Sequence, residues 1–119
     1  MTRRTALLTA GVTGGLAVLL GAFGAHALKP LLEAHHAREI WGTAVLYHLV
    51  HAVALLWVAE RMPGRGGCFL CWTLGLALFS GSLYLLALTG ITWLGAVTPF
   101  GGLLLVSGWV LVIREAWKS

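Results

Sequence analysis

The chain has 119 residues, 59% of them hydrophobic and only 10% charged, with a mean hydropathy of +0.89. A soluble domain averages roughly 45–50% apolar and about 25% charged residues, so this chain lacks the polar residues to cover a water-facing surface. That excludes an ordinary cytosolic enzyme, a disordered regulator, a secreted disulfide scaffold and a free nucleic-acid binder, and it implies an integral membrane protein. The net charge of +4 adds no nucleic-acid partner, because the eight basic residues stand singly or in pairs and form no patch able to engage a phosphate backbone.

The charges divide the chain into three uncharged tracts. Thr5 to Leu28 has 24 residues, Ile40 to Ala59 has 20, and Gly66 to Ile113 has 48. A bilayer core takes about 20 apolar residues per helix, so the last tract must fold back on itself. The prediction is an all-α, four-helix membrane bundle in one domain, with helices over about 5–28, 40–59, 68–88 and 95–113. A transmembrane barrel would alternate polar and apolar residues. Runs such as Leu103-Leu104-Leu105-Val106 do not.

Met1-Thr2-Arg3-Arg4 before an apolar run, with Ala25-His26-Ala27 behind it, resembles a secretory signal. A signal's apolar region spans about 7–15 residues, and this run is longer, so it reads as helix 1. Lys29-Pro30 ends it, since proline disfavours helical geometry in the residue before it. Leu31 to Glu39 is amphipathic and reads as a short interfacial helix running into helix 2, with His35 and His36 solvated. Glu60 to Gly67 is a polar turn punctuated by Pro63 and glycines. The turn Thr89-Gly90-Ile91-Thr92 carries no charge, and Trp93 follows where an interfacial aromatic belongs. Arg114 to Ser119 forms a short tail.

Lys and Arg distribute unevenly between the two ends. Arg3, Arg4, Arg61, Arg65, Arg114 and Lys118 share one end, whereas Lys29 and Arg38 occupy the other. The positive-inside rule then places both termini in the cytoplasm.

Within lipid, small residues that let backbones approach carry helix packing. Helix 1 holds Gly11, Gly15, Gly21 and Gly24, helix 3 offers Gly81, and helix 4 offers Gly101, Gly102 and Gly108. These are the expected close-packing positions, within the chain or against another copy or subunit.

Ionisable residues inside a span are costly and often functional, so His26, His48 and His51 are the groups to weigh. His48 and His51 are three apart and share a helix face, with Tyr47 four before His51. They read as hydrogen-bonding glue, with proton relay and haem or metal ligation as the sharper alternatives. His51 lies roughly 16 Å below the outer end of its helix and His26 only about 3 Å inside its own, which argues against one shared metal ion. Tyr84, Thr98 and Pro99, with His26, form a candidate polar patch near the outer end. Cys68-Phe69-Leu70-Cys71 lacks the second pair or histidine of a zinc site and reads as small apolar helix residues. The sequence contains no nucleophile constellation and no carboxylate inside a span. No catalytic, metal or cofactor site is therefore assigned, and no enzyme activity is expected.

Several strings carry a family resemblance. Gly21-Ala22-Phe23-Gly24-Ala25-His26-Ala27-Leu28, Tyr47-His48 with His51-Ala52, Phe79-Ser80-Gly81-Ser82-Leu83-Tyr84, Leu94 to Gly102 and Gly108-Trp109 occur in order along nearly the whole chain. They resemble the small four-helix membrane family of unknown function that includes transmembrane protein 256 and bacterial YgdD-type inner-membrane proteins. The resemblance implies a multi-pass protein of the inner (cytoplasmic) membrane without an established activity. It places His26, His51, Ser82, Tyr84, Pro99 and Gly102 on family motif positions, whereas His48 stands where glutamine is common. The Cys68 and Cys71 pair lies outside the pattern.

Three functional classes follow. The first is a non-enzymatic structural or accessory subunit that contacts membrane lipids and packs against other membrane subunits or itself, with no soluble substrate. The second is a proton-linked transporter or channel component using His51. The third is a haem- or quinone-associated electron-transfer subunit carried by His26, His48 and His51.

Overall fold

A computed structural model describes residues 1–61 and 66–119. The middle of the expected polar turn, Met62 to Arg65, lies outside the described residues. The elements in order are α1 (Arg3–Ala25), α2 (Lys29–Ala34), α3 (Arg38–Arg61), α4 (Gly66–Thr89), a 3-10 turn (Thr92–Ala96) and α5 (Thr98–Lys118), with no strand among the described residues. The helices α1, α3 and α4 and the stretch Thr92–Lys118 are each long and apolar enough to cross a membrane. The protein is an all-α membrane bundle with the four spans that the uncharged tracts predict.

Local chemistry sets the helix ends. Thr2 caps α1 by accepting the Thr5 N–H on its side chain. The helix stops at Ala25, short of the expected Leu28, and the His26 N–H closes it on the Ala22 and Phe23 carbonyls. Pro30 sits in the first turn of α2, where its missing N–H costs nothing. The interfacial segment does not run on into the next span as expected. His36 adopts φ +51°, a left-handed geometry that halts α2 after six residues. His35 is not merely solvated either, because its Nδ1 meets the Ala87 carbonyl at 3.1 Å and ties this segment to the end of α4. At the other terminus, the expected tail continues α5 as helix to Lys118.

Packing follows chain order. α1 lies on α3, α3 on α4 and α4 on α5, and among the described residues no Cα of α1 comes within 8 Å of α4 or α5. The inner pair α3 and α4 is 39% buried over its spans, against 17% for α1 and for the last span. On α4, Phe79 and Gly75 face α5, whereas Ala77 and Gly81 face a cleft beside α1. The two outer helices therefore lie on opposite sides of the α3–α4 pair, and the bundle is open.

The glycines divide by neighbour. A side chain at Gly24 would run into the Trp41 indole, at Gly108 into the Trp72 indole, and at Gly101 into the Phe79 backbone. Gly75, which the sequence reading passed over, seats the Leu105 backbone nitrogen 3.0 Å from where its Cβ would stand. Gly21 is tight against Val45 at 3.3 Å, and Gly102 is in ordinary contact with the Phe79 ring. Gly11, Gly15 and Gly81 have nothing within 4 Å, so the close packing expected of them within the chain is not made. At the end shared by the α1 start and the α3 end, Arg3 pairs with Glu60 at 2.6 Å.

Candidate functional site

The polar groups inside the spans gather along the seam of α3 and α4, where α5 adds Trp109 and Thr98 and α1 adds the Leu20 carbonyl. His48 and His51, three residues apart on α3, are both buried and both lean toward α4. They serve different neighbours. His48 turns to the α1 side and His51 to the α5 side.

His51 Nδ1 lies 2.8 Å from the Tyr47 carbonyl, and the Trp109 indole N–H from α5 donates to His51 Nε2 at 3.0 Å. An indole nitrogen can only donate, so Nε2 is an acceptor and Nδ1 carries the ring proton. Both nitrogens are thereby occupied by protein groups in a neutral imidazole. The ring is also enclosed by Trp72 and Trp109, at centroid distances of 5.9 and 5.8 Å, and those two indoles pack at 4.7 Å. Tyr47 stacks on His51 at 6.2 Å and leans on Phe79 at 4.6 Å.

His48 Nδ1 meets the Tyr84 hydroxyl at 2.8 Å, which joins α3 to α4. Trp41 covers Tyr84 at 4.8 Å and anchors its own N–H on the Leu20 carbonyl at 2.9 Å.

Hydroxyls complete the seam. Ser80 donates to the Ala44 carbonyl at 2.8 Å, across α3 and α4. Ser82 and Thr98 share a hydrogen bond of 2.6 Å between α4 and α5. Pro99 stands exposed in the first turn of α5 and serves to start that helix.

The expected outer patch does not assemble. Tyr84 belongs to the α1 side with His48, Thr98 belongs to the α5 side with Ser82, and His26 is exposed at the end of α1 without a side-chain partner among the described residues. Trp41, Trp72 and Trp109 are the site residues that sequence reasoning missed. A signal was present, because a tryptophan inside lipid needs an acceptor for its N–H, and each finds one. Pairing each indole with its glycine, Trp41 with Gly24 and Trp72 with Gly108, required the fold.

Comparison with known proteins places this geometry. A family model described as a protein of unknown function (DUF423) matches residues 20–102. The chain belongs to this family. It is 37% identical to the UPF0382 membrane protein YwdK of Bacillus subtilis, over 94% of this chain and 95% of that one. It is 39% identical to the UPF0382 inner membrane protein YgdD of Escherichia coli, over 98% of this chain and 92% of that one. The UPF0382 membrane protein SH2409 of Staphylococcus haemolyticus is 40% identical over 87% of each chain. No solved structure matches. Four spans and these relatives make the chain a multi-pass protein of the inner membrane. The match from residue 20 to 102 includes every polar side chain of the seam except Trp109.

Proposed function

We propose that the protein is a non-enzymatic structural or accessory subunit of the inner membrane, which packs against a second copy or a larger membrane complex and contacts lipid. The observation that carries this reading is the state of α1. That helix buries one stripe, Ala6, Ala10, Ala17 and Gly24, against α3, while Gly11 and Gly15 stand exposed on its other face with nothing within 4 Å. Small residues four apart on a lipid-facing helix allow close backbone approach by another helix. Hydroxyls and imidazoles of the seam are engaged in cross-helix hydrogen bonds, which suits a scaffold. The engaged nitrogens of His51 favour that role over proton transfer or haem ligation through this ring.

Gly11→Leu combined with Gly15→Leu tests it. Both positions are exposed and have no other part of the chain within 4 Å of the Cβ position, so the variant should keep the thermal stability of the monomer. It should lose co-purifying subunits, or its own oligomer, on native gels of membranes solubilised in mild detergent. Unchanged assembly would overturn the reading.

A further inference from the structure

We propose that the groove between α1 and α3, at the end opposite the termini, holds one zwitterionic phospholipid, its phosphate on Arg38 and its ammonium beside Glu33. The groove has a volume of about 370 Å³ and is lined by Gly21 and Gly24 of α1 and by Gly42, Val45 and Leu49 of α3, with Arg38 at its mouth. Gly42 keeps it open, because nothing lies within 4 Å of the place its Cβ would take. From Arg38 to Leu49 is eleven residues of helix, roughly 16 Å at the helical rise. That is half of a hydrocarbon core of about 30 Å, so the groove runs from the interface as deep as the acyl chains of one leaflet.

Charge at the mouth selects the headgroup. Among the lining side chains only Arg38 and Trp41 are polar, and Trp41 commits its N–H to the Leu20 carbonyl. Arg38 carries five donors and directs one at Glu33, in an ion pair of 3.4 Å whose side chains are 61% and 50% exposed. Such a long, exposed pair is weak, so a phosphate takes the remaining donors, whose fork suits its oxygens. Arg38 also opens α3, and Ala37 before it has no polar side chain to cap that helix. The first-turn N–H groups therefore add partial positive charge beside the guanidinium. Glu33 supplies the opposite sign 3.4 Å from the guanidinium, and Lys29 and Glu39 add one charge of each sign to the same end. A phosphoethanolamine zwitterion answers both signs. A purely anionic headgroup meets the Glu33 carboxylate unanswered, and a neutral glyceride answers neither. Leu46 and Leu49 stand exposed on the flank, so the acyl chain enters the groove from the surrounding lipid.

Titration of the delipidated full-length protein in detergent with dioleoylphosphatidylethanolamine, read by native mass spectrometry, tests this site. One lipid per chain should be retained. Dioleoylglycerol, which lacks the phosphate, and dioleoylphosphatidylglycerol, which lacks the ammonium, should each need roughly tenfold higher concentration, the worth of one charge-assisted hydrogen bond. Arg38→Gln should weaken retention of the phosphatidylethanolamine and leave dioleoylglycerol unchanged. Glu33→Gln should remove the preference over dioleoylphosphatidylglycerol. Gly42→Leu should abolish retention with the fold intact, because its side chain enters the groove and nothing lies within 4 Å of its Cβ position. Equal or tighter retention of either comparison lipid, indifference to Arg38→Gln, or full retention by Gly42→Leu would each refute the site. Arg38 and Gly42 lie on α3, away from Gly11 and Gly15 of α1, so this outcome is independent of the assembly test.

Discussion

His48 and His51 illustrate how one helix face can be split by its neighbours. Their spacing puts them about 60° apart around α3, close enough to share a face in the sequence. α4 packs between their directions, so one ring finds Tyr84 and the other finds Trp109. The donor-only indole decides the tautomer of His51. Nitrogen-15 NMR of histidine-labelled protein at neutral pH should show His51 neutral and protonated at Nδ1. A doubly protonated ring, or one protonated at Nε2, would contradict the Trp109 bond. Trp109→Phe should cost about 1 kcal/mol, since it orphans a buried acceptor where membrane hydrogen bonds are individually modest. That histidines matter in these spans was legible from their cost in lipid. Which nitrogen each one uses was not, because it depends on a residue 58 positions away.

At the scale of elements, the glycines sort the helix contacts. Alanine improves an isolated helix over glycine by about 1 kcal/mol, so the sign of each substitution depends on what the methyl meets. Gly101→Ala drives it into the Phe79 backbone, and Gly24→Ala and Gly108→Ala drive it into indoles anchored by their own hydrogen bonds. Each should destabilise by about 1–3 kcal/mol, the usual range for overpacking. Gly11→Ala, Gly15→Ala and Gly81→Ala meet nothing and should be neutral or slightly stabilising for the monomer. Unfolding in mixed detergent measures both sets, and a loss at Gly15 equal to that at Gly101 would overturn this division. The small-residue patterns of α1 were visible in the sequence as repeats of four. Such a pattern names a face suited to close approach, but it does not say whether the chain itself, lipid or a partner occupies that face.

For the whole molecule, the end-to-end charge asymmetry and the open packing have separate consequences. The sequence carries six basic residues before the first span, between the second and third and after the fourth, against two elsewhere, and the positive-inside rule predicts from this count that both termini lie in the cytoplasm. A phosphatase reporter active only outside the cytoplasm should therefore be silent when fused after Ser119 and active when fused within the turn around Gly90. The reverse pattern would invert the orientation. The surface pair of Arg3 and Glu60 contributes little to this arrangement, because exposed ion pairs are worth about 0–1 kcal/mol. Burial between α3, α4 and α5 holds the bundle together, through Leu55 of α3, Phe69 and Trp72 of α4 and Leu105 of α5.

Hydrophobicity and charge by themselves determined that the protein crosses the membrane four times, because a span requires about 20 uncharged residues and its ends collect the charges. They also located the polar residues that lie within lipid, since the cost of burying them there makes each one conspicuous. Tertiary structure alone decided that the bundle is open. It separated His48 from His51, seated Trp41 and Trp72 over glycines, and left the cleft between α1 and α4. The physical reason is that lipid is as apolar as the helices. The pattern of hydrophobic residues therefore carries little information about which face meets which, and shape and hydrogen bonding between distant residues make that choice.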